Sequence, residues 1–194
     1  MKKIEFVYRE ILFQALERKK NDLTQSFLSK ELRMSLSVVN HALIPLRKMN
    51  AIYVKKRGFD VIDTKKILYY WASIRNLEKD IIYKTRVDHP AYKIENSMPD
   101  YVIYGAYSAY KLKFKDVPSD YSEVYVYSNE DLKERFPESK KTANLLILKK
   151  DEFMDKYGKL TTMAQTFVDL WNIKEWYAHD FLKALEEKIN GILE

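Results

Sequence analysis

Short polar side chains at residues 35–48 and three adjacent cations at residues 55–57 are the groups whose types and spacing best suit a binding function. An asparagine can make a bidentate contact with adenine, and a serine near the start of a helix suits a phosphate held by free backbone N–H groups. Adjacent Lys and Arg side chains neutralise phosphates. The candidate DNA-binding residues are Ser35, Ser37, Val38, Asn40, His41, Lys48, Lys55, Lys56 and Arg57. They predict contact with double-stranded DNA.

Basic charge is concentrated in the first third of the chain. Residues 1–66 contain 15 Lys or Arg and 7 Asp or Glu, a net charge of +8, whereas the remainder contains 19 and 21, a net charge of −2. Non-specific binding to nucleic acid draws most of its free energy from neutralised phosphates. This division favours a DNA-binding module joined to a near-neutral second domain, although a solvated lysine-rich surface would explain the charge alone equally well.

Three helices are predicted before the cationic run. Apolar residues recur every three or four positions over 4–19, which is typical of an amphipathic helix. Thr24 is a suitable N-cap for a second helix that ends near Leu32, and Ser35 or Ser37 is a suitable N-cap for a third. The apolar positions of the third helix are Val39, Leu43, Leu46 and Met49.

A β-hairpin is predicted directly after the third helix. Its strands would be Ile52–Val54 and Phe59–Ile62, and Gly58 can adopt the positive φ that a tight hairpin needs. Three helices followed by a hairpin with a basic tip are typical of a winged helix-turn-helix. In that architecture the third helix enters the major groove and the hairpin lies along the backbone or in the adjacent minor groove.

The rest of the chain predicts a connecting helix and a mixed second domain, so that the whole is α+β. An aromatic stripe marks a helix over 67–77, which we expect to pack against the second domain; pairing with a second copy, giving a homodimer, is the alternative. Strands are predicted near 102–104, 123–127 and 144–148, and helices near 108–112, 162–171 and 176–192, with Gly191 as a C-cap. The predicted divisions are a winged helix at 1–66, a linking helix and connector at 67–98, and a regulatory or partner domain at 99–194.

Several other functions lack their usual sequence features. The absence of cysteine excludes disulfides and thiolate metal sites and favours a cytoplasmic setting. The amino-terminal stretch has no uninterrupted apolar region typical of a signal peptide, and no apolar run is long enough for a membrane span. The three histidines are scattered and the four glycines are not clustered. We therefore expect no metal site, no cofactor and no catalytic residue.

One segment of the second domain resembles the start of a minimal nucleotidyltransferase domain. The stretch YGAYSAYKLKF is followed by VPSDYSEVYVYS, and the matching positions are Gly105 and Ser108 for the triphosphate turn and Glu123 and Tyr125 for the metal-binding pair. Tyr125 stands where the family has a second carboxylate for Mg²⁺. The resemblance therefore implies a scaffold without catalysis, and nucleotidyl transfer is the less favoured alternative.

A broader resemblance covers roughly 160 residues. A basic winged helix, the segment YVIYGAYSAYKLKF and the later TTMAQTFVDLW resemble the AbiEi-like antitoxins of abortive-infection type IV toxin-antitoxin systems. The counterparts of the family motifs are Ser108, Ala109 and Tyr110, then Thr161 and Thr162, and then Val168, Asp169 and Leu170. The resemblance implies a DNA-binding autorepressor with a toxin as partner protein.

A different class of function stays open. The winged helix could serve as a protein–protein or RNA-binding adaptor, with the tyrosine-rich second domain supplying aromatic anchors for a partner.

Overall fold

Amphipathic helices and short strands follow one another along the chain in the computed structural model, which describes residues 1–193. The α+β class predicted from the sequence is confirmed. The chain divides into an N-terminal unit, made of Met1–Arg75 and the chain from Ile189, and a C-terminal unit, Asn76–Lys188. This division differs from the predicted one: residues 67–75 belong to the N-terminal unit, and no separate connector covers 67–98.

Four helices and three strands form the N-terminal unit. The order is α1 (Lys3–Leu16), β1 (Asp22–Leu23), α2 (Gln25–Glu31), α3 (Leu36–Lys48), β2 (Ile52–Val54), β3 (Phe59–Val61) and α4 (Thr64–Ile74). The predicted Thr24 cap is confirmed, since its hydroxyl accepts a hydrogen bond from the backbone N–H of Phe27 at 3.0 Å. Of the two serines considered for α3, Ser35 is the cap.

The strands of this unit form a small antiparallel sheet of order β1-β3-β2. The sequence pattern predicted the β2–β3 hairpin, but β1 has only two residues and showed no periodicity. Gly58 has φ +98°, as the hairpin prediction required, and a Cβ atom there would collide with the carbonyl oxygen of Leu23. The close approach of β1 therefore adds a second reason for glycine at this position.

The core of the N-terminal unit forms where α1 packs against α3 and α4. Ile67 and Trp71 of α4 are fully buried. Their packing within this unit differs from the expectation that the aromatic stripe would face the second domain. The indole nitrogen of Trp71 donates to the carboxylate of Glu5 on α1 at 3.1 Å, and Arg75 lies 3.8 Å from the same oxygen. Buried polar groups of α1 and α4 thus satisfy each other.

The C-terminal unit has a mixed four-stranded sheet of order β4-β7-β6-β5. Its elements are β4 (Ile81–Thr85), α5 (Ala91–Asn96), β5 (Ile103–Tyr104), α6 (Ala106–Phe114), β6 (Val124–Ser128), β7 (Leu145–Lys149), α7 (Met163–Trp171) and α8 (Ala178–Leu193), of which the part from Ile189 is assigned to the N-terminal unit. The central strands β6 and β7 are parallel, and both outer strands run antiparallel to their neighbours. Neither β4 nor α5 was predicted. Gly191 lies inside α8 and not at its end, so its expected role as a C-cap is wrong.

Strand β6 is buried on both faces of this sheet. Val124 and Val126 pack into an apolar cluster with Ile94 of α5. On the alternate face the hydroxyl of Tyr127 donates to Asp169 of α7 at 2.5 Å. Helices therefore cover both faces of the sheet, which is why β6 is buried at every position.

Across residues 1–193, no helix has the length and apolar composition that crossing a membrane requires. Within the same range, no group of three or more His, Asp or Glu side chains is arranged to hold a metal ion.

Candidate nucleic-acid interface

Helix α3 presents one buried side and one exposed side. Val39, Ala42, Leu43 and Leu46 are fully buried against the rest of the unit. Because an α-helix turns roughly 100° per residue, positions 37, 40, 41, 44 and 48 lie on the opposite side. All of these are exposed: Ser37, Asn40, His41, Ile44 and Lys48. The exposed side of α3 therefore contains four of the six candidate residues that the sequence placed on or beside this helix.

The other two candidates are Ser35, which caps the helix, and Val38, which is not fully exposed. The hydroxyl of Ser35 accepts a hydrogen bond from the backbone N–H of Val38 at 3.3 Å, so Ser35 caps the helix. Val38 itself is only half-exposed and lies at the edge of the exposed side. Ser37, in contrast, lies in the first turn and is exposed. Ser37 is thus better placed than Ser35 or Val38 to contact a ligand at this end of α3.

Asn40 is held by a neighbour that the sequence analysis did not identify. Its side-chain oxygen accepts a hydrogen bond from the guanidinium of Arg47 at 2.8 Å. An amide oxygen can accept two hydrogen bonds, so a bidentate contact with adenine remains compatible with this pairing. Arg47 is seven residues, or two helical turns, from Asn40 on the same helix. That spacing was a usable signal in the sequence.

His41 and Lys48 line a shallow cleft beside α3. The cleft has a volume of about 220 Å³ and is bounded by α1, α3 and α4. Its other lining residues are Ile4, Tyr8, Ile44, Pro45 and Tyr70. The hydroxyl of Tyr8 donates to the backbone carbonyl of Ala42 at 3.0 Å, which fixes α3 against α1. His41 and Lys48 are therefore exposed on a helix whose position is set by buried contacts.

The three cations at the hairpin tip are not equivalent. Lys56 and Arg57 are exposed, whereas the ammonium of Lys55 lies 3.0 Å from Asp22 and 2.8 Å from Asp60. Asp22 and Asp60 face each other across β1 and β3, an arrangement in which like charges repel. Hydrogen bonds to Asp60 and Asp22 raise the pKa of Lys55 above its usual value. That Lys55 contacts phosphate stays a prediction, but its charge, unlike those of Lys56 and Arg57, is paired with two carboxylates of the sheet.

Lys55→Ala should lower the thermal stability of the N-terminal unit, because it leaves Asp22 and Asp60 facing each other without a cation. Lys56→Ala removes a cation from the adjacent exposed position and serves as the matched control. The unfolding temperature of both variants, measured by circular dichroism, checks the difference. An equal unfolding temperature for the two variants would mean that the Lys55 pairs contribute nothing to folding.

Two exposed apolar residues of α3 were missed by the sequence analysis. The exposed fraction is 52% for Leu36, the first residue of the helix, and 37% for Ile44. Ile44 lies between Asn40 and Lys48 along the exposed side. Their side chains are neither polar nor basic, but helical spacing alone identifies Ile44 as a residue of the exposed side.

The positions compared with a nucleotidyltransferase do not form a metal site in this structure. Ser108 is fully buried, and its hydroxyl donates to Glu95 of α5 at 2.7 Å. The carboxylate of Glu123 accepts a hydrogen bond from Tyr177, and Tyr125 is buried beside the ring of Tyr107. Gly105 is the N-cap of α6. Ser108, matched to the triphosphate turn, and Glu123, matched to a metal ligand, instead form hydrogen bonds with other side chains of the unit.

The residues that resemble the motifs of the antitoxin family lie on α6 and α7 or directly before α7, and these two helices pack together. Ser108, Ala109 and Tyr110 belong to α6, which contacts α7. Thr162 caps α7 by accepting a hydrogen bond from the backbone N–H of Gln165 at 3.2 Å, and the Thr161 hydroxyl lies 2.7 Å from that of Thr166. Val168, Asp169 and Leu170 are buried members of α7. These residues have structural roles in the interior of the C-terminal unit.

Comparison with known proteins adds no relative: no protein-family model matches the chain, and neither a curated protein nor a solved structure is significantly similar to it.

Proposed function

We propose that this chain is a sequence-specific regulator that binds double-stranded DNA through a winged helix-turn-helix in its N-terminal unit. The observation that carries the proposal is that α3 exposes polar side chains on one side and is followed within the same unit by a hairpin with exposed Lys56 and Arg57 at its tip. This order of helices and hairpin is the one in which α3 reads the major groove and the hairpin contacts the backbone.

The proposed contacts fall into two groups. Ser37, Asn40 and His41 lie on the N-terminal half of the exposed side of α3, where the side chains of a recognition helix reach base edges. Lys48, Lys56 and Arg57 supply the charge that neutralises phosphates. Lys55 supports the hairpin, and Ser35 supports the start of α3, without contacting DNA.

The double variant Lys56→Ala, Arg57→Ala should lower the slope of log K against log salt by about two, because each phosphate contact contributes about one unit to that slope. Fluorescence anisotropy with a labelled duplex at several salt concentrations measures it. The duplex is obtained by selecting bound fragments from random DNA.

Lys55→Ala is the matched control for this titration, since it removes the same charge at the adjacent position. Its slope should equal that of the unchanged protein, because the ammonium is already compensated by Asp22 and Asp60. Two findings would each contradict the proposal: selection that enriches no duplex, or binding whose salt dependence is the same with and without Lys56 and Arg57.

The selected sequence also tests the finer parts of the proposal. A homodimer would select a palindrome whose half-sites are separated by about one helical turn or a multiple of it. An antitoxin-like autorepressor, which the family resemblance implies, would find that palindrome upstream of its own coding sequence and would have a toxin as partner protein.

A further inference from the structure

Leu36 and Ile44 are the two exposed apolar residues of α3. Leu36 lies at the N-terminal end of the helix and is more than half exposed; Ile44 lies two turns further on, between polar residues of the exposed side. Neither residue is buried in the apolar core. The residues of this helix that form the core are Val39, Ala42, Leu43 and Leu46. Ile44 is therefore directed outward between Asn40 and Lys48, whereas Leu36 shares the helical stripe of Val39 and Leu43 and is exposed at the first turn of the helix.

The chemistry of the major groove supplies one apolar group on a base edge, the 5-methyl of thymine. Aliphatic side chains on a helix in that groove can bury this methyl, whereas the other base edges there present only hydrogen-bond donors and acceptors. We infer that Leu36 and Ile44 determine specificity by packing against thymine methyl groups, so that the preferred DNA has thymines opposite these two residues. The inference rests on the proposed function, because it requires α3 to enter the major groove.

The spacing of the two residues limits where the thymines lie. Eight residues of α-helix span roughly 12 Å. At 3.4 Å per base pair this corresponds to about three or four base pairs when the helix follows the groove. Asn40 lies midway and can contact an adenine between them. The preferred site is therefore rich in A·T pairs over a stretch of about this length.

The test replaces thymidines of the selected duplex by deoxyuridine, one at a time, which removes the methyl and leaves the hydrogen-bonding groups intact. Loss of one buried methyl should weaken binding about fourfold at one or two positions and leave the other positions unchanged. In Leu36→Ala the effect should disappear at one position, and in Ile44→Ala at the other. Affinities are measured by anisotropy at one salt concentration.

Ile82→Ala is the matched control, because Ile82 is an exposed isoleucine on β4 of the C-terminal unit and its loss should leave every deoxyuridine effect in place. Circular dichroism of each variant establishes that the fold is retained. If Ile44→Ala unfolds, Ile44→Val takes its place, and because it keeps a branched side chain it should preserve the loss of affinity caused by deoxyuridine. If the protein binds its duplex but deoxyuridine has no effect, or has the same effect in all variants, the inference is overturned and the proposed function stands. If no duplex is selected, both are overturned.

Discussion

Glu5→Ala is expected to destabilise the N-terminal unit by about 3–5 kcal/mol, the usual loss when one partner of a buried ion pair is removed. The side chains of Glu5 and Arg75 are almost inaccessible to solvent, and Nε of Arg75 lies 3.8 Å from Oε2 of Glu5. The same carboxylate accepts hydrogen bonds from the Trp71 indole and from the backbone N–H of Lys2. Alanine would leave a buried guanidinium and a buried indole N–H without this acceptor.

Urea unfolding followed by tryptophan fluorescence measures the effect on this unit. Trp71 is the only tryptophan of the N-terminal unit, whereas Trp171 and Trp176 are exposed residues of the C-terminal unit. Replacing Trp171 and Trp176 by phenylalanine therefore isolates the fluorescence of Trp71. Lys3→Ala, at an exposed position of the same helix, should change stability by less than about 0.5 kcal/mol.

Glu5→Gln should fall between these variants, because glutamine keeps an acceptor for Trp71 but not the negative charge opposite Arg75. A loss below about 1 kcal/mol in Glu5→Ala would contradict the buried pairing, since a carboxylate that contributes so little must be solvated. The result bears on the proposed function because α1, which packs against α4, also holds α3 in position. Under the proposed function, variants that lose this support should have a smaller fraction of binding-competent protein, and the salt slope of that fraction should be unchanged.

Glu95→Ala is expected to produce a loss of similar size, about 3–5 kcal/mol, in the C-terminal unit. Its buried carboxylate accepts hydrogen bonds from Ser108 at 2.7 Å and Tyr121 at 2.5 Å and pairs with the ammonium of Lys111 at 2.6 Å. Burial and then the hydrogen bond to Glu95 raise the pKa of Tyr121 above its usual value, so this hydroxyl remains a donor at neutral pH. In Glu95→Ala the three donors Ser108, Tyr121 and Lys111 would lose the carboxylate that accepts their hydrogen bonds.

Hydrogen exchange of the backbone amides of α6, measured by mass spectrometry, reports this loss locally. Exchange should accelerate in Glu95→Ala and stay unchanged in Lys93→Ala, which alters an exposed position on the same helix α5. Adding Ser108→Ala should cost less in the Glu95→Ala background than alone, because the serine has already lost its acceptor. If the losses of stability in the two variants are strictly additive, Ser108 and Glu95 do not depend on each other. That result would contradict a structural role for the hydrogen bond between them.

Local patterns predicted much of the N-terminal unit. The three- and four-residue spacing of apolar side chains located α1 and α3, Thr24 marked the start of α2, and Gly58 marked the hairpin. These features depend on interactions within a few residues of chain, so the sequence contains them directly. Strands β1 and β4 and the short helix α5 escaped prediction. Strand β1 has two residues, and β4 begins shortly after the change of unit at Asn76.

Tertiary structure alone decided the environment of the charged and buried polar residues. Lys55 looked equivalent to Lys56 and Arg57 until the fold brought Asp22, 33 residues away, to its ammonium. The aromatic stripe of α4 could serve several interfaces, and its packing on α1 brings Trp71 into a hydrogen bond with Glu5, 66 residues away along the chain. The sequence by itself determined most of the helices, the β2–β3 hairpin and which cations are available. Which cations stay exposed depended on contacts between distant residues, because Coulomb and hydrogen-bond energies follow distance in space and not separation along the chain.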